Sequence, residues 1–133
     1  MDQRILNMNL FRMNLADNPF SCGPEELLAD VVKKMQKEHI GCLFIVENDK
    51  PIGIFTERDY FMKIAGNESQ FNSKKIKELM TPNPVCLHLK DTLSKALQYM
   101  NLGQFRHFPI IDDAGKLIKA MSIKDIVNFI LSH

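Results

Sequence analysis

Residues 53–59 read GIFTERD and residues 119–125 read KAMSIKD, and the relation between these two heptapeptides decides the fold. Each closes on a hydroxyl residue followed three positions later by an acid: Thr56 and Asp59, then Ser122 and Asp125. At a helix start that spacing is a capping box, in which hydroxyl and carboxylate each satisfy an orphan backbone N–H. At a strand-to-helix turn the same groups also suit a ligand. The hydroxyl and helix N-terminus would meet a phosphate, and the carboxylate a sugar diol. Taken alone, either stretch supports both readings.

Working outward, the chain repeats itself. Asn18-Pro19 recurs as Asn83-Pro84, an offset of 65, and Leu28, Met35 and Ile45-Val46 fall on Leu93, Met100 and Ile110-Ile111. One extra residue in the turn DDAGK (112–116), against ENDK (47–50), moves the offset to 66 and brings Thr56 and Asp59 onto Ser122 and Asp125. Each half then shows the same order of elements. An extended stretch containing Pro (18–22, 83–89) precedes an amphipathic helix, with Leu27, Leu28, Val31, Val32 and Met35 on one apolar face and Leu93, Ala96, Leu97 and Met100 on the other half's counterpart. Pro24 is expected at the first helical position of the first helix, and Asp91 as the cap of the second. Two short strands follow around a polar turn, at 42–46 and 51–55 and again at 107–111 and 116–121. Closing helices are expected near 57–65 and 123–131.

The expected class is therefore α+β, with two β-α-β-β-α repeats. The division is an N-terminal extension over 1–17, a first repeat over 18–66, a connector over 67–79 and a second repeat over 80–133. A unit of about 50 residues buries too little surface to be comfortable alone, so the two are expected to pack together. Residues 1–17 align with nothing in the second half, and an extra helix or a partner-binding arm is expected there.

Composition narrows the function classes. The 133 residues carry 17 Lys and Arg against 16 Asp and Glu, a net charge of +1, with no basic stripe interleaved with aromatics. Nucleic acid is accordingly not an expected partner. No apolar run reaches the ~20 residues that span a bilayer, so no membrane is expected. The start MDQRILNMNLF lacks a secretory pattern, and three widely spaced cysteines (Cys22, Cys42, Cys86) read as reduced thiols, which suits a cytoplasmic protein. No metal site is expected from four histidines without i,i+4 pairing. No nucleophile elbow, P-loop or other catalytic constellation is visible, so the chain is not expected to be an enzyme.

The repeat, the N-P entry, the capping box after the hairpin and MTPNPV at 80–85 together resemble a tandem pair of CBS domains, the regulatory modules named after cystathionine β-synthase. The resemblance covers about residues 18–133. GIFTERD fits the ligand signature of that family, Gly-apolar-x-[Thr/Ser]-x-x-[Asp/Asn], at every position, whereas KAMSIKD has Lys119 in the place of Gly. A basic pair before Pro is present in FRHFPI (105–110) as Arg106 and His107. Its counterpart in the first repeat, IGCLFI (40–45), has Gly41, Cys42 and Phe44 in those places.

The resemblance implies a stand-alone regulatory module whose repeats pack sheet to sheet with pseudo-twofold symmetry, leaving two clefts for an adenosine-containing ligand (AMP, ADP, ATP or S-adenosylmethionine). No cofactor is required. In the primary cleft it implies Asp59 on the ribose, Thr56 with Gly53 at the phosphate turn, Ile54 and Phe20 on the base, and Arg106 and His107 on the phosphate. A weaker second cleft would use Ser122, Asp125 and Lys119, with Ala120 and Val85 on the base. A homodimer through the closing helices is also implied, together with an effector protein that reads the bound state. The alternative is a constitutive dimerisation or docking scaffold whose clefts are vestigial.

Overall fold

The computed structural model describes residues 2–103 and 106–133. The chain divides into two compact units: Phe20–Pro84, which holds the first repeat, and Met1–Pro19 with Val85–His133, which holds the second.

In the first-repeat unit, β2 (Ser21–Cys22) leads to α2 (Leu28–Glu38), the hairpin β3 (Cys42–Glu47) and β4 (Lys50–Thr56), and α3 (Glu57–Lys63). A short α4 (Glu68–Phe71), a 3-10 turn (Ile76–Glu78) and β5 (Thr81–Pro82) complete it. The sheet order is β2-β3-β4-β5, with β2 parallel to β3 and the remaining pairs antiparallel. The hairpin turns on Asn48 and Asp49, both at positive φ (52° and 67°), the pairing that a two-residue loop between twisted strands demands. Strand alternation divides the sheet's residues between two faces. Leu43, Ile45 and Phe55, none of them exposed, join Leu28, Val31 and Met35 of α2 in the core. Cys42, Phe44, Ile54 and Thr56 occupy the opposite face, in register as Cys42–Thr56 and Phe44–Ile54.

The second-repeat unit is built on α5 (Leu93–Gly103), β6 (His107–Ile111), β7 (Leu117–Ser122) and α6 (Ile123–Leu131), preceded by α1 (Gln3–Leu6), a 3-10 turn (Leu10–Arg12) and β1 (Ala16–Asp17). Its sheet order is β1-β7-β6. Phe108, Ile110 and Met121 face a core shared with Leu93, Ala96, Ile126 and Phe129.

The N-terminal extension expected over residues 1–17 contributes three residues to this core: Leu10, Met13 and Leu15 are buried in it. The extension also has a counterpart, the connector. Leu10 N–H donates to Asp91 O (2.9 Å) and Phe11 N–H to Leu89 O (3.1 Å), as Ile76 N–H donates to Glu26 O (2.7 Å) and Lys77 N–H to Pro24 O (3.2 Å). β1 pairs with β7 (Ala16–Ala120, Asp17–Lys119) as β5 pairs with β4 (Thr81–Ile54, Pro82–Gly53). Asn18 and Asn83, which follow the two strands, both have positive φ (49° and 53°). Each segment preceding a repeat thus completes the unit of the other repeat. The sequence does not announce this, because a 3-10 turn and a two-residue strand are too short to carry a period.

Helix starts also differ from expectation. α2 begins at Leu28, and Pro24 lies in the preceding turn. Its first N–H groups are satisfied by the connector, Leu28 N–H by Lys74 O (2.9 Å) and Ala29 N–H by Asn72 O (3.2 Å). That explains how the helix starts without a side-chain cap. At α5, Thr92 Oγ1 accepts from Lys95 N–H (3.2 Å), while Asp91 accepts from His88 N–H (2.8 Å) in the turn before. The three cysteines form no disulfide, and no helix among the described residues is long and apolar enough to cross a membrane.

Candidate functional site

The GIFTERD stretch runs from β4 into α3. Thr56 is the N-cap, extended at φ −124° and ψ 164°. Its Oγ1 accepts from Asp59 N–H at 3.1 Å, and Asp59 Oδ2 accepts both Thr56 N–H (2.9 Å) and Thr56 Oγ1–H (3.0 Å). The Glu57 N–H donates to Gly41 O at 2.9 Å. Two of the first three N–H groups of α3, and the Thr56 hydroxyl, are therefore engaged inside the unit. Spare capacity lies on the carboxylate. Asp59 Oδ1 stands 3.6 Å from Lys63 Nζ, too far for a hydrogen bond, and the side chain is 19% exposed.

The other expected residues fall around this turn as the strand geometry dictates. Ile54 shares the face of Thr56, and its cross-strand neighbour Phe44 is 3% exposed. Phe20, 41% exposed, accepts from Phe44 N–H at 3.1 Å through its carbonyl and so lies beside that pair. Gly53 belongs to the other face, that of Phe55. A Cβ on Gly53 would stand 2.2 Å from Met80 Sδ and 2.8 Å from its Cγ, so packing within the unit accounts for this glycine. Cys42 is the cross-strand partner of Thr56. Burial, aided by the Asp59 charge, pushes its thiol up to about 12, so it stays uncharged.

The second-repeat unit reproduces the turn with different chemistry. Asp125 Oδ2 accepts Ser122 N–H at 2.8 Å and Ser122 Oγ–H at 3.3 Å, and Ile123 N–H donates to Arg106 O at 3.0 Å. His107 holds the place of Cys42, in register with Ser122, and Ala120 lies on the same face opposite Pro109. Burial, then the Arg106 charge, lowers the His107 pKa from its ordinary 6.5, while Asp125 pulls the other way. Within its own unit, then, His107 stands with Ser122 and Asp125, a grouping the sequence reading did not make. Arg106 is exposed, Phe105 lies outside the described residues, and Val85 packs against the unit's core.

Lys119 is not brought to this group. Alternation puts it on the face of Ile110 and Met121, away from Ser122, and its ammonium is ion-paired with Asp17 of β1. The expected phosphate contact from Lys119 is replaced by a strand-to-strand contact. Lys63 and Phe44 were missed by the sequence reading. The i,i+4 spacing from Asp59 would have pointed to Lys63. Among the described residues no cluster of three His, Cys, Asp or Glu could hold a metal ion.

Two copies of a β-α-β-β-α unit, each with a capping-box turn at the end of a hairpin, define a tandem repeat module. The chain matches the CBS domain family over residues 14–66 and again over 76–132, and it belongs to that family. Both matched spans begin ahead of the N-P entries. The CBS domain-containing protein CBSX3, mitochondrial, of Arabidopsis thaliana is 33% identical over 115 residues, covering 83% of this chain and 55% of that protein. Against curated relatives such as this one the chain spans only part of their length, from 15% to 55%. Among solved structures, the CBS domain pair of protein MJ0100 in complex with 5′-methylthioadenosine and S-adenosyl-L-methionine superposes with a TM-score of 0.81 at 22% identity, covering 95% of this chain and 98% of that one. CBSX2 in complex with AMP gives 0.79 at 18% identity, covering 93% and 96%.

Proposed function

We propose that this chain is a regulatory module that binds an adenosine-containing ligand and signals occupancy to a partner protein. The observation that carries the reading is the state of Asp59. One oxygen holds the helix cap, and the other forms no hydrogen bond among the described residues and so can accept a ribose hydroxyl in a charge-assisted contact. Capping and ligand binding are thus compatible in one residue. The ligands held by the CBS pairs of MJ0100 and CBSX2, named above, support an adenosine compound (AMP, ADP, ATP or S-adenosylmethionine) as the class.

In this reading Thr56 and Asp59 form the primary site, with Asp59 on the ribose, Ile54 and Phe20 against the base, Gly53 admitting Met80 beneath the turn, Arg106 as the cation for the phosphate and His107 as a hydrogen-bonding partner beside it. Ser122 and Asp125, with Ala120 and Val85, form the weaker site. The role is regulatory rather than catalytic, in the cytoplasm, with no cofactor. Thermal-shift titration with the named ligands tests it, because a ligand bound to the folded state raises Tm. Asp59→Ala should abolish the shift and Asp125→Ala reduce it at most. Absence of a shift with every adenosine compound would sink the sensor reading.

A constitutive docking scaffold is the second reading, favoured by apolar surface. Ile123, Val127 and Leu131 (43%, 47% and 80% exposed) form a stripe at i,i+4 spacing along α6, while Phe61 and Met62 of α3 are 70% and 75% exposed. In the first-repeat unit, α2 and α3 also flank an open groove of about 620 Å³ lined by Val32, Met35, Ile40, Tyr60 and Phe61. These faces suit a second copy of the chain, and the homodimer belongs to both readings. Sedimentation at micromolar concentration giving a monomer would exclude it.

A further inference from the structure

Among the described residues, Lys63 is the one lysine or arginine ion-paired with a motif carboxylate, and neither the family signature nor the capping box calls for it. We propose that Lys63 is the positioning residue of the first-repeat site, compensating the charge of Asp59 when a ligand covers it. This role rests on the ribose-binding reading of Asp59 given above.

The geometry is specific. Lys63 Nζ stands 3.6 Å from Asp59 Oδ1 while donating a hydrogen bond to Leu79 O at 3.3 Å. The ammonium is therefore anchored by the connector's carbonyl rather than by the carboxylate. It lies close enough to attract the carboxylate but leaves the Oδ1 lone pairs to accept a ribose hydroxyl. Exposed as it is, 43% for the lysine side chain, the pair contributes little in the free protein. A bound nucleoside would displace water from Asp59, and the attraction grows as the local dielectric falls. A carboxylate buried under ligand without a compensating cation would be costly.

The second repeat has no lysine in this place. The residue corresponding to Lys63 at the offset of 66 is Phe129, which is 9% exposed and packed in the core of its unit. Asp125 makes no Lys or Arg ion pair among the described residues. The two motifs, alike in their hydroxyl and carboxylate, differ in the neighbour of that carboxylate, a lysine ammonium for Asp59 and the His107 imidazole for Asp125. Lys63 also ties the ligand turn to Leu79, immediately ahead of Met80 and β5, so its state is shared with the connector segment.

Isothermal titration of the full chain with AMP and with 2′-deoxy-AMP tests the role, using Lys63→Met, Lys63→Arg, Asp59→Asn and the Asp59→Asn/Lys63→Met double variant. Lys63→Met should weaken AMP by about three- to tenfold, the scale of a partly buried charge pair, and 2′-deoxy-AMP by less. Lys63→Arg should restore most of the loss. In the Asp59→Asn background Lys63→Met should have no further effect, the non-additivity expected when one residue acts through another. Equal weakening of both nucleotides, or an undiminished effect in the Asp59→Asn background, would make Lys63 a general phosphate attractor and overturn the proposal. Unchanged AMP affinity in Lys63→Met would overturn it as well. If the wild type binds neither nucleotide while another adenosine compound raises its Tm, the positioning role fails with AMP and the sensor reading survives. If nothing raises Tm, both fail.

Discussion

Asp17 and Lys119 face each other across β1 and β7, as Cα partners in the antiparallel register and as an ion pair between their side chains. The lysine that stands in the motif's glycine position thus serves the N-terminal strand. Its ammonium is committed on the side of the sheet away from Ser122. In the first repeat the same place is held by Gly53, over which Met80 is packed. The two units solve one packing problem differently, by ion pair and by sulfur-over-glycine contact.

Lys119→Met is accordingly expected to leave ligand affinity unchanged and to cost about 0–1 kcal/mol of stability, since Asp17 is largely exposed. Asp17→Lys should cost more than Lys119→Met, through like-charge opposition across the strands, and the Asp17→Lys/Lys119→Asp double variant should recover most of it. Urea denaturation checks all three. A tenfold loss of ligand affinity in Lys119→Met would restore it to the site.

Removal of residues 1–15 should destabilise the unit carrying the second repeat, because Leu10, Met13 and Leu15 leave its core. Leu10→Ala alone, at a site with no exposure, is expected to cost about 2–5 kcal/mol. Hydrogen exchange should show lost protection in α5, β6, β7 and α6, with β3 and β4 affected less. Uniform loss, or none, would contradict the division into units.

Asp59→Asn separates cap from ligand. The amide oxygen can still accept from Thr56 N–H, so Tm should change little, whereas Asp59→Ala should lose about 1 kcal/mol of capping. Both should bind ligand more weakly, Asp59→Asn less severely than Asp59→Ala because its amide oxygen can still accept a ribose hydroxyl. Retained binding in Asp59→Asn would show that the ribose contact does not depend on the carboxylate's charge.

His107 makes stability depend on pH. Burial and Arg106 hold its folded pKa below the ordinary 6.5, so the unfolded chain binds the proton more readily. Stability from this residue is therefore fully present above pH 6.5 and is lost as pH falls through the lower, folded value. His107→Gln should flatten the decline of Tm in that window. Asp125→Asn should steepen it, because Asp125 is the group that opposes the shift.

Much of the fold could be read from local pattern. The 65-to-66 offset, the apolar faces of α2 and α5 and the alternation of the hairpin strands are short-range signals, and the closing helix at 123–131 falls where the spacing put it. Asn48-Asp49 marked its turn, and Met35 and Met100, placed on the apolar helix faces, serve the cores. The same holds for the capping boxes, whose partners lie three residues apart.

What pattern could not carry was the long-range choice of partner. Sequence alone determined that this chain is two copies of one unit, each ending in a hydroxyl and a carboxylate poised at a helix start, because those features depend on neighbours a few residues away. Only the tertiary structure decided that the segment before each repeat completes the other repeat's unit, that Lys119 belongs to Asp17, and that Lys63 donates to the connector's Leu79 carbonyl. Those contacts join residues 16 to 102 positions apart, and a two-residue strand or a single side chain has no periodicity by which its distant partner could be recognised.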